Sequence, residues 1–169
     1  MADSKVSGKH DVVKFRAAKK VSTRFKSGTS IPTRGSFRVQ LLGTSDAVAV
    51  RSKITHSGVS GGVLRDVRER LGLTIADVSQ VLGASERTVI RKEQQRSPLS
   101  ATESDRAYRL ARIADLATEL IGDEEKAKAW LRTPNTYLGG ETPVAMLDSE
   151  VGTDYVVRSL YTIAYGGVA

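Results

Sequence analysis

The chain contains no cysteine, and only His10 and His56 supply imidazole among its 169 residues. The first absence excludes a disulfide framework and a thiolate zinc site, and the second argues against a histidine-built metal centre. Aromatic residues are scarce at 5%, with a single Trp, and proline occurs four times. No run of about 18 apolar residues offers a membrane span, and the beginning of the chain lacks the compact apolar stretch of a secretory signal. A soluble protein of a reducing cytoplasm, with no cofactor and no metal, is expected. Catalysis is not: the adjacent carboxylates Asp123, Glu124 and Glu125 open a helix, where acids serve the dipole. No His or Cys stands near them in sequence to complete an acid/base or nucleophile set.

What the chain does have is positive charge, unevenly spread. The formal net charge is +7. Residues 1–59 hold 12 Lys/Arg against 3 Asp/Glu, whereas residues 60–169 hold 14 against 16. Residues 1–44 form a basic arm in which Gly, Ser, Thr and Pro interrupt the short apolar runs. It reads as largely disordered, with a short helix near Asp11 to Lys20 and a brief extended piece over Phe37 to Gly43. Such an arm neutralises phosphates and strengthens DNA binding at low salt. A solvated tail that only aids solubility and an organellar transit peptide are the alternative readings.

From residue 45 the pattern is helical, and the fold class is all-α. Ser45 or Asp46 caps a helix through about Thr55, with Val48, Ile54 and alanines as its apolar face. Ser60 opens GGVLRDVRERLG, where Val63, Leu64, Val67 and Leu71 share one face and Gly72 ends the helix. Thr74 caps IADVSQVLG with Ile75, Val78, Val81 and Leu82 inward; after Gly83, Ser85 caps ERTVIRKEQQ with Val89 and Ile90 inward. Ser100 to Ile121 is the longest helix, striped by Ala107, Leu110, Ala111, Ala114, Ala117 and Ile121. Asp123 caps EEKAKAWLR, Pro134 and Pro143 bracket a turn containing Gly139-Gly140, and a last helix runs from Ser149 to Tyr165 with Val151, Val156, Leu160 and Ile163 inward.

The pair of short capped helices around Gly83-Ala84 has the make-up of a helix-turn-helix. Ser79 is small where the helices cross, and Gly83 makes the turn. In that motif the second helix lies in the major groove with its N-terminal residues at base edges. The candidate DNA contacts are therefore Ser85, Glu86, Arg87, Thr88, Arg91, Lys92 and Arg96. Arg87 and Arg91 suit guanine, whose O6 and N7 a guanidinium can pair at once. Ser85 and Thr88 suit phosphates, and Lys92 and Arg96 the backbone. A plain helical hairpin, with its arginines solvated or paired to Glu86 and Glu93, is the bland alternative.

From about residue 46 to the end the chain resembles the Xre/MbcA/ParS-type antitoxins, partners of RES-domain toxins in type II toxin-antitoxin systems. The resemblance rests on "LGLTIADVSQVLGASERTVIRK", then "SPLSATESDRAYRLARIADLATEL", then "GDEEKAKAWLRTPNTYLGGETPVAMLDSEVGTDYVVRSLYTIAYG", in that order. It implies an Xre-like helix-turn-helix module, residues 45–99, followed by a C-terminal toxin-binding helical domain, residues 100–169. It also implies an antitoxin that blocks the active site of an NAD+-consuming RES toxin and, with it, binds its operon promoter for autoregulation. The long basic arm and the terminal Val168 and Ala169 depart from the family pattern.

On the last helix Tyr155, Arg158, Tyr161 and Tyr165, with Gly166 and Gly167 at its end, are the candidate toxin contacts, since Tyr and Arg combine contact area with polar anchoring. Trp130 reads as core that sets the platform for that helix. The expected partners are thus a RES-domain toxin and operator DNA, with a homodimer and a higher-order toxin-antitoxin complex. The competing reading is a stand-alone dimeric helix-turn-helix regulator whose C-terminal helices only dimerise it.

Overall fold

The computed structural model describes residues 35–166. The helix expected near Asp11 to Lys20 and the candidate contact Gly167 lie outside them. Among the described residues there are eight α-helices and no β-strand. They are α1 (Phe37–Leu42), α2 (Ala47–Ser52), α3 (Gly61–Leu71), α4 (Ile75–Leu82), α5 (Glu86–Gln95), α6 (Ala101–Ile121), α7 (Glu124–Arg132) and α8 (Glu150–Tyr165). A π-helical turn follows α2 at Lys53–Ser57, and 3-10 turns at Thr136–Leu138 and Ala145–Asp148 lie between α7 and α8.

The all-α expectation holds, and several helices have their start and stop written locally. Thr74 and Asp77 form a reciprocal capping box on α4, and Ser100 and Glu103 do the same on α6. Gly72, Gly83, Gly122 and Gly166 end α3, α4, α6 and α8 in the left-handed conformation that costs a glycine little. The long alanine-striped α6 is the central post. Ala107, Leu110, Ala111, Ile113, Ala114 and Ala117 are all buried on it, and α1, α4, α7 and α8 pack against it. Small side chains there let those helices approach closely.

Four expectations need correction. The segment Phe37–Leu42 is helical rather than extended. Its first turn is capped from outside: Asp115 on α6 accepts hydrogen bonds from the Phe37 amide at 2.7 Å, the Ser36 hydroxyl at 2.6 Å and Arg38 Nε at 2.8 Å. Phe37, Leu41 and Leu42 are then buried. A tertiary partner supplies what so short a helix lacks by itself. In α2 the inward residue is Val50, and Val48 is 78% exposed; Val50 and Ile54, four apart, share the face that Val48 misses. Ile90 of α5 is exposed, and only Val89 and Glu93 of that helix are buried. In α8 the inward residues are Gly152, Thr153, Val156, Ser159 and Leu160. Val151 shares the outer face of Tyr155 four residues on, and Ile163 lies in the final turn, where the core has ended; both are exposed.

Trp130 is buried at 4% exposure, and its indole N–H has no hydrogen-bond partner among the described residues. The chain reverses beside it, with the Val144 amide donating to Leu131 O at 3.0 Å.

Candidate functional site

The α4–α5 unit is built by a tight, well-satisfied turn. The Ala84 amide donates to Ser79 O at 3.0 Å, and Gly83 at φ 63° turns the chain. A side chain at Gly83 would strike the Arg106 guanidinium, which donates to Leu82 O at 2.8 Å. Ser85 then caps α5, accepting from the Thr88 amide at 3.2 Å, while the two hydroxyls lie 3.0 Å apart. Both hydroxyls therefore serve the helix start, and whichever of them accepts in that contact keeps its O–H for a phosphate.

Behind α5 a buried ion pair fixes its roll. Glu93 is 6% exposed and takes a bidentate contact from Arg68 of α3, Nε to Oε1 at 2.9 Å and Nη2 to Oε2 at 3.0 Å. Glu93 is thus committed to α3 and leaves Arg91 alone. Arg87 and Arg91 are exposed and form no ion pair among the described residues. With Ile90 and Gln94 they make one outward stripe, and Glu86 is exposed in the first turn. Ile90, read from the sequence as inward, and Gln94 were not among the candidate DNA contacts. An apolar side chain suits a thymine methyl and a glutamine suits adenine, but a helix-face average hides one apolar residue standing on the polar side.

Lys92 stands apart from that stripe. Its ammonium lies 2.6 Å from Glu103 Oε2 and is mostly withdrawn from solvent. Burial pushes the Glu103 carboxyl up, but hydrogen bonds from Lys92 and Ser100 outweigh it and hold the group below its usual range. Arg96 ends α5 in a left-handed conformation, φ 51°, with its aliphatic stem over Gly62 and its carbonyl accepting from Ser60 Oγ at 3.3 Å. Its charged head remains exposed.

At the other end of the chain, Ser149 caps α8 by accepting from the Gly152 amide at 3.1 Å. Gly152 sits against Met146 O, so that α8 meets the 3-10 turn backbone to backbone. The outward stripe is Val151, Tyr155, Arg158, Tyr161 and Tyr165. Tyr161 and Tyr165 stack with ring centres 5.9 Å apart and planes 13° from parallel. Arg158 Cζ lies 5.9 Å from the Tyr155 ring centre. Beyond Leu160 the helix outruns the core: Tyr161, Ile163, Ala164, Tyr165 and Gly166 are all exposed. The structure thus brings the tyrosines and Arg158 onto one face, with Gly166 closing the helix at φ 62°.

Comparison with known proteins bears on both ends. Residues 50–112 match the model of the antitoxin Xre-like helix-turn-helix domain, and residues 116–166 that of the antitoxin Xre/MbcA/ParS C-terminal toxin-binding domain. The chain is 34% identical over 117 residues to Antitoxin Xre of Pseudomonas putida strain KT2440, covering 69% of this chain and 72% of that relative. It belongs to the Xre/MbcA/ParS antitoxin family.

Other antitoxins are similar across the same region. One from Sphingobium sp. strain YBL2, named Prs ADP-ribosylating antitoxin, is 27% identical over 128 residues, 70% of this chain and 80% of the relative. A chain in the crystal structure of the M. tuberculosis MbcT-MbcA toxin-antitoxin complex is 25% identical and overlaps 64% of this chain and 96% of its own length, with a TM-score of 0.49.

The family's division also divides the charge. Residues 50–112 carry 12 Lys/Arg against 7 Asp/Glu, and residues 116–166 carry 4 against 8. An antitoxin whose helix-turn-helix half is net basic and whose toxin-binding half is net acidic keeps phosphate attraction at one end. Among the described residues no helix is long and apolar enough to cross a membrane.

Proposed function

We propose that the chain neutralises a RES-domain, NAD+-consuming toxin by seating the end of α8 in the toxin's active site, and that it represses its own operon through α5. The observation that carries the first half is the overrun of α8. An apolar and aromatic helix end left in water, with no core behind it, is a surface waiting for a partner. Its tyrosines and arginine are the residue types that dominate binding energy when buried at interfaces. The name of the Sphingobium relative, which couples an antitoxin to ADP-ribosylation, supports a toxin that uses NAD+, the usual donor of ADP-ribose.

The second half rests on the free α5 stripe. Arg87 and Arg91 read guanine, Glu86 sits beside them at the helix start, Ser85 and Thr88 meet phosphates, and Arg96 touches the backbone; Lys92 contributes mainly by holding α5 to α6. In this division residues 45–99 serve DNA and residues 100–169 serve the toxin. Helix-turn-helix proteins commonly read two half-sites about 34 Å apart, so a homodimer within a larger toxin-antitoxin complex, acting in the bacterial cytoplasm, fits the reading.

The test is growth of bacteria expressing the neighbouring gene, with this protein supplied from a separate promoter. Arrest relieved by the full chain, and not by the chain truncated after Tyr161, supports the proposal, provided circular dichroism shows the truncated chain folded. Full rescue by the truncated chain overturns the role of α8. Arrest that the full chain cannot relieve moves the protein to the stand-alone dimeric regulator.

A further inference from the structure

The surface aromatics of this chain are concentrated. Among the described residues every exposed aromatic side chain is a tyrosine between 137 and 165; Phe37 and Trp130 are buried and Tyr108 is half-buried. Three of these tyrosines ride on α8. The fourth, Tyr137, does not, and at 80% exposure it is more open to solvent than any of them.

Tyr137 stands on a turn that is fixed on every side. Asn135 organises it: its Oδ1 accepts from the Tyr137 amide at 2.9 Å, and its own carbonyl accepts from the Leu138 and Gly140 amides, each at 2.9 Å. The Asn135 amide donates to Glu141 O at 2.9 Å and closes the loop. Leu138, the neighbour of Tyr137, is buried and pegs the turn into the core. Gly139 and Gly140 follow at φ 68° and 89°, a conformation that a side chain would strain. Finally, Asn135 Nδ2 donates to Ser159 Oγ at 3.3 Å, which fastens the turn to α8 next to Arg158 and one turn from Tyr155.

So many constraints on a seven-residue turn whose exposed ring makes no hydrogen bond or ring contact among the described residues have a physical consequence. The backbone entropy of presenting Tyr137 is spent in folding, and an aromatic with two rotatable bonds then costs little to immobilise in a complex. We propose that Tyr137 is a second anchor for the toxin, separate from the end of α8: it enters an apolar recess on the toxin surface outside the active site, while α8 closes the site itself. The occupant is the toxin, because the turn lies inside the residues matched to the toxin-binding domain and is hydrogen-bonded to the helix that carries the other tyrosines. This deepens the reading of α8 as toxin-binding and rests on it.

The experiment is calorimetric titration of the purified product of the neighbouring gene with the full chain and three variants. Tyr137→Ala raises Kd about 30-fold, and Tyr137→Phe stays within about threefold, since the ring carries the contact. Gly140→Ala leaves Tyr137 in place but loosens its support, and raises Kd by about fivefold with unchanged far-ultraviolet circular dichroism. Binding by Tyr137→Ala within about twofold of the unsubstituted chain, while truncation after Tyr161 abolishes binding, overturns the second anchor and leaves α8 standing. A Tyr137→Ala effect on homodimer mass with none on toxin affinity overturns it too. No binding by the unsubstituted chain overturns both.

Discussion

Glu124→Gln is the perturbation whose outcome the structure specifies most closely. Glu124 opens α7 in the toxin-binding half, and Arg70 on α3, in the helix-turn-helix half, grips both of its oxygens: Nε to Oε1 at 3.0 Å and Nη2 to Oε2 at 2.8 Å. Lys128 adds a third contact at 3.1 Å, and the Arg70 and Glu124 side chains are 11% and 12% exposed. Arg70 also stacks over Phe37, 3.9 Å from the ring centre. The hydrogen bonds from Arg70, working against burial and aided by Lys128, lower the Glu124 carboxyl from 4.5 to about 2.

A carboxylate whose folded pKa lies below its unfolded one stabilises the fold fully above pH 4.5, and that contribution is lost as pH falls toward about 2. The whole interval corresponds to at most about 3.4 kcal/mol, and water still reaching the pair reduces a realistic contribution to about 1–2 kcal/mol. Glu124→Gln, which keeps the shape and removes the charge, therefore lowers Tm at pH 7 by roughly 3–8 °C. The decisive readout is the pH series. The gap between wild type and variant stays constant from pH 7 to about pH 5, narrows below that, and has lost over half its size by about pH 3. Glu125→Gln is the control, because Glu125 is 81% exposed and, among the described residues, pairs only with Lys128; it moves Tm by under about 1 °C. A Glu124→Gln gap that is absent at pH 7, or that persists unchanged to pH 3, refutes the account of this ion pair.

Arg91→Ala weakens binding to the protein's own operator about 5- to 100-fold and binding to random DNA only about threefold, as measured by anisotropy; equal losses make it a phosphate contact. Deleting residues 1–34, which carry nine Lys/Arg, flattens the slope of log K against log salt for operator binding, and an unchanged slope assigns the arm to solubility. Gly152→Ala drives a methyl group into Met146 O, costs about 1–3 kcal/mol in thermal melts and weakens toxin capture more than operator binding; a neutral effect on both refutes the close approach of α8.

The sequence made the helices legible where caps and periodicity agree. Asp46, Thr74, Ser85 and Asp123 were each readable as an N-cap, and each side chain accepts a first-turn backbone N–H. It failed where a partner far along the chain decides. Nothing local announces that Asp115 caps α1 from 78 residues away, or that Glu93 is taken by Arg68 and so leaves Arg91 without an ion pair among the described residues. The α8 face was legible at Tyr155, Arg158, Tyr161 and Tyr165 because they recur at helical spacing. Tyr137 was not, since a single tyrosine in a turn has no period, and only its hydrogen-bonded support sets it apart.

The two halves are not independent bodies that share a linker. The helices of the helix-turn-helix unit are finished by side chains from the other half: Arg132 of α7 donates to Gly72 O at the end of α3 at 3.0 Å, and Arg106 of α6 donates to Leu82 O at the end of α4. Gln80 of α4 in turn donates to Ala145 O, in the 3-10 turn on which α8 rests, at 3.3 Å. The main packing partners of α5 are α3 and α4, and those of α8 are α6 and the 3-10 turns, so α4 is the wall between the α5 stripe and the platform of α8. A fragment ending before α6 would leave the Leu82 carbonyl without the Arg106 guanidinium and the Lys92 ammonium without Glu103. The orientation of α5 therefore depends on residues that a division into a DNA half and a toxin half assigns to the toxin.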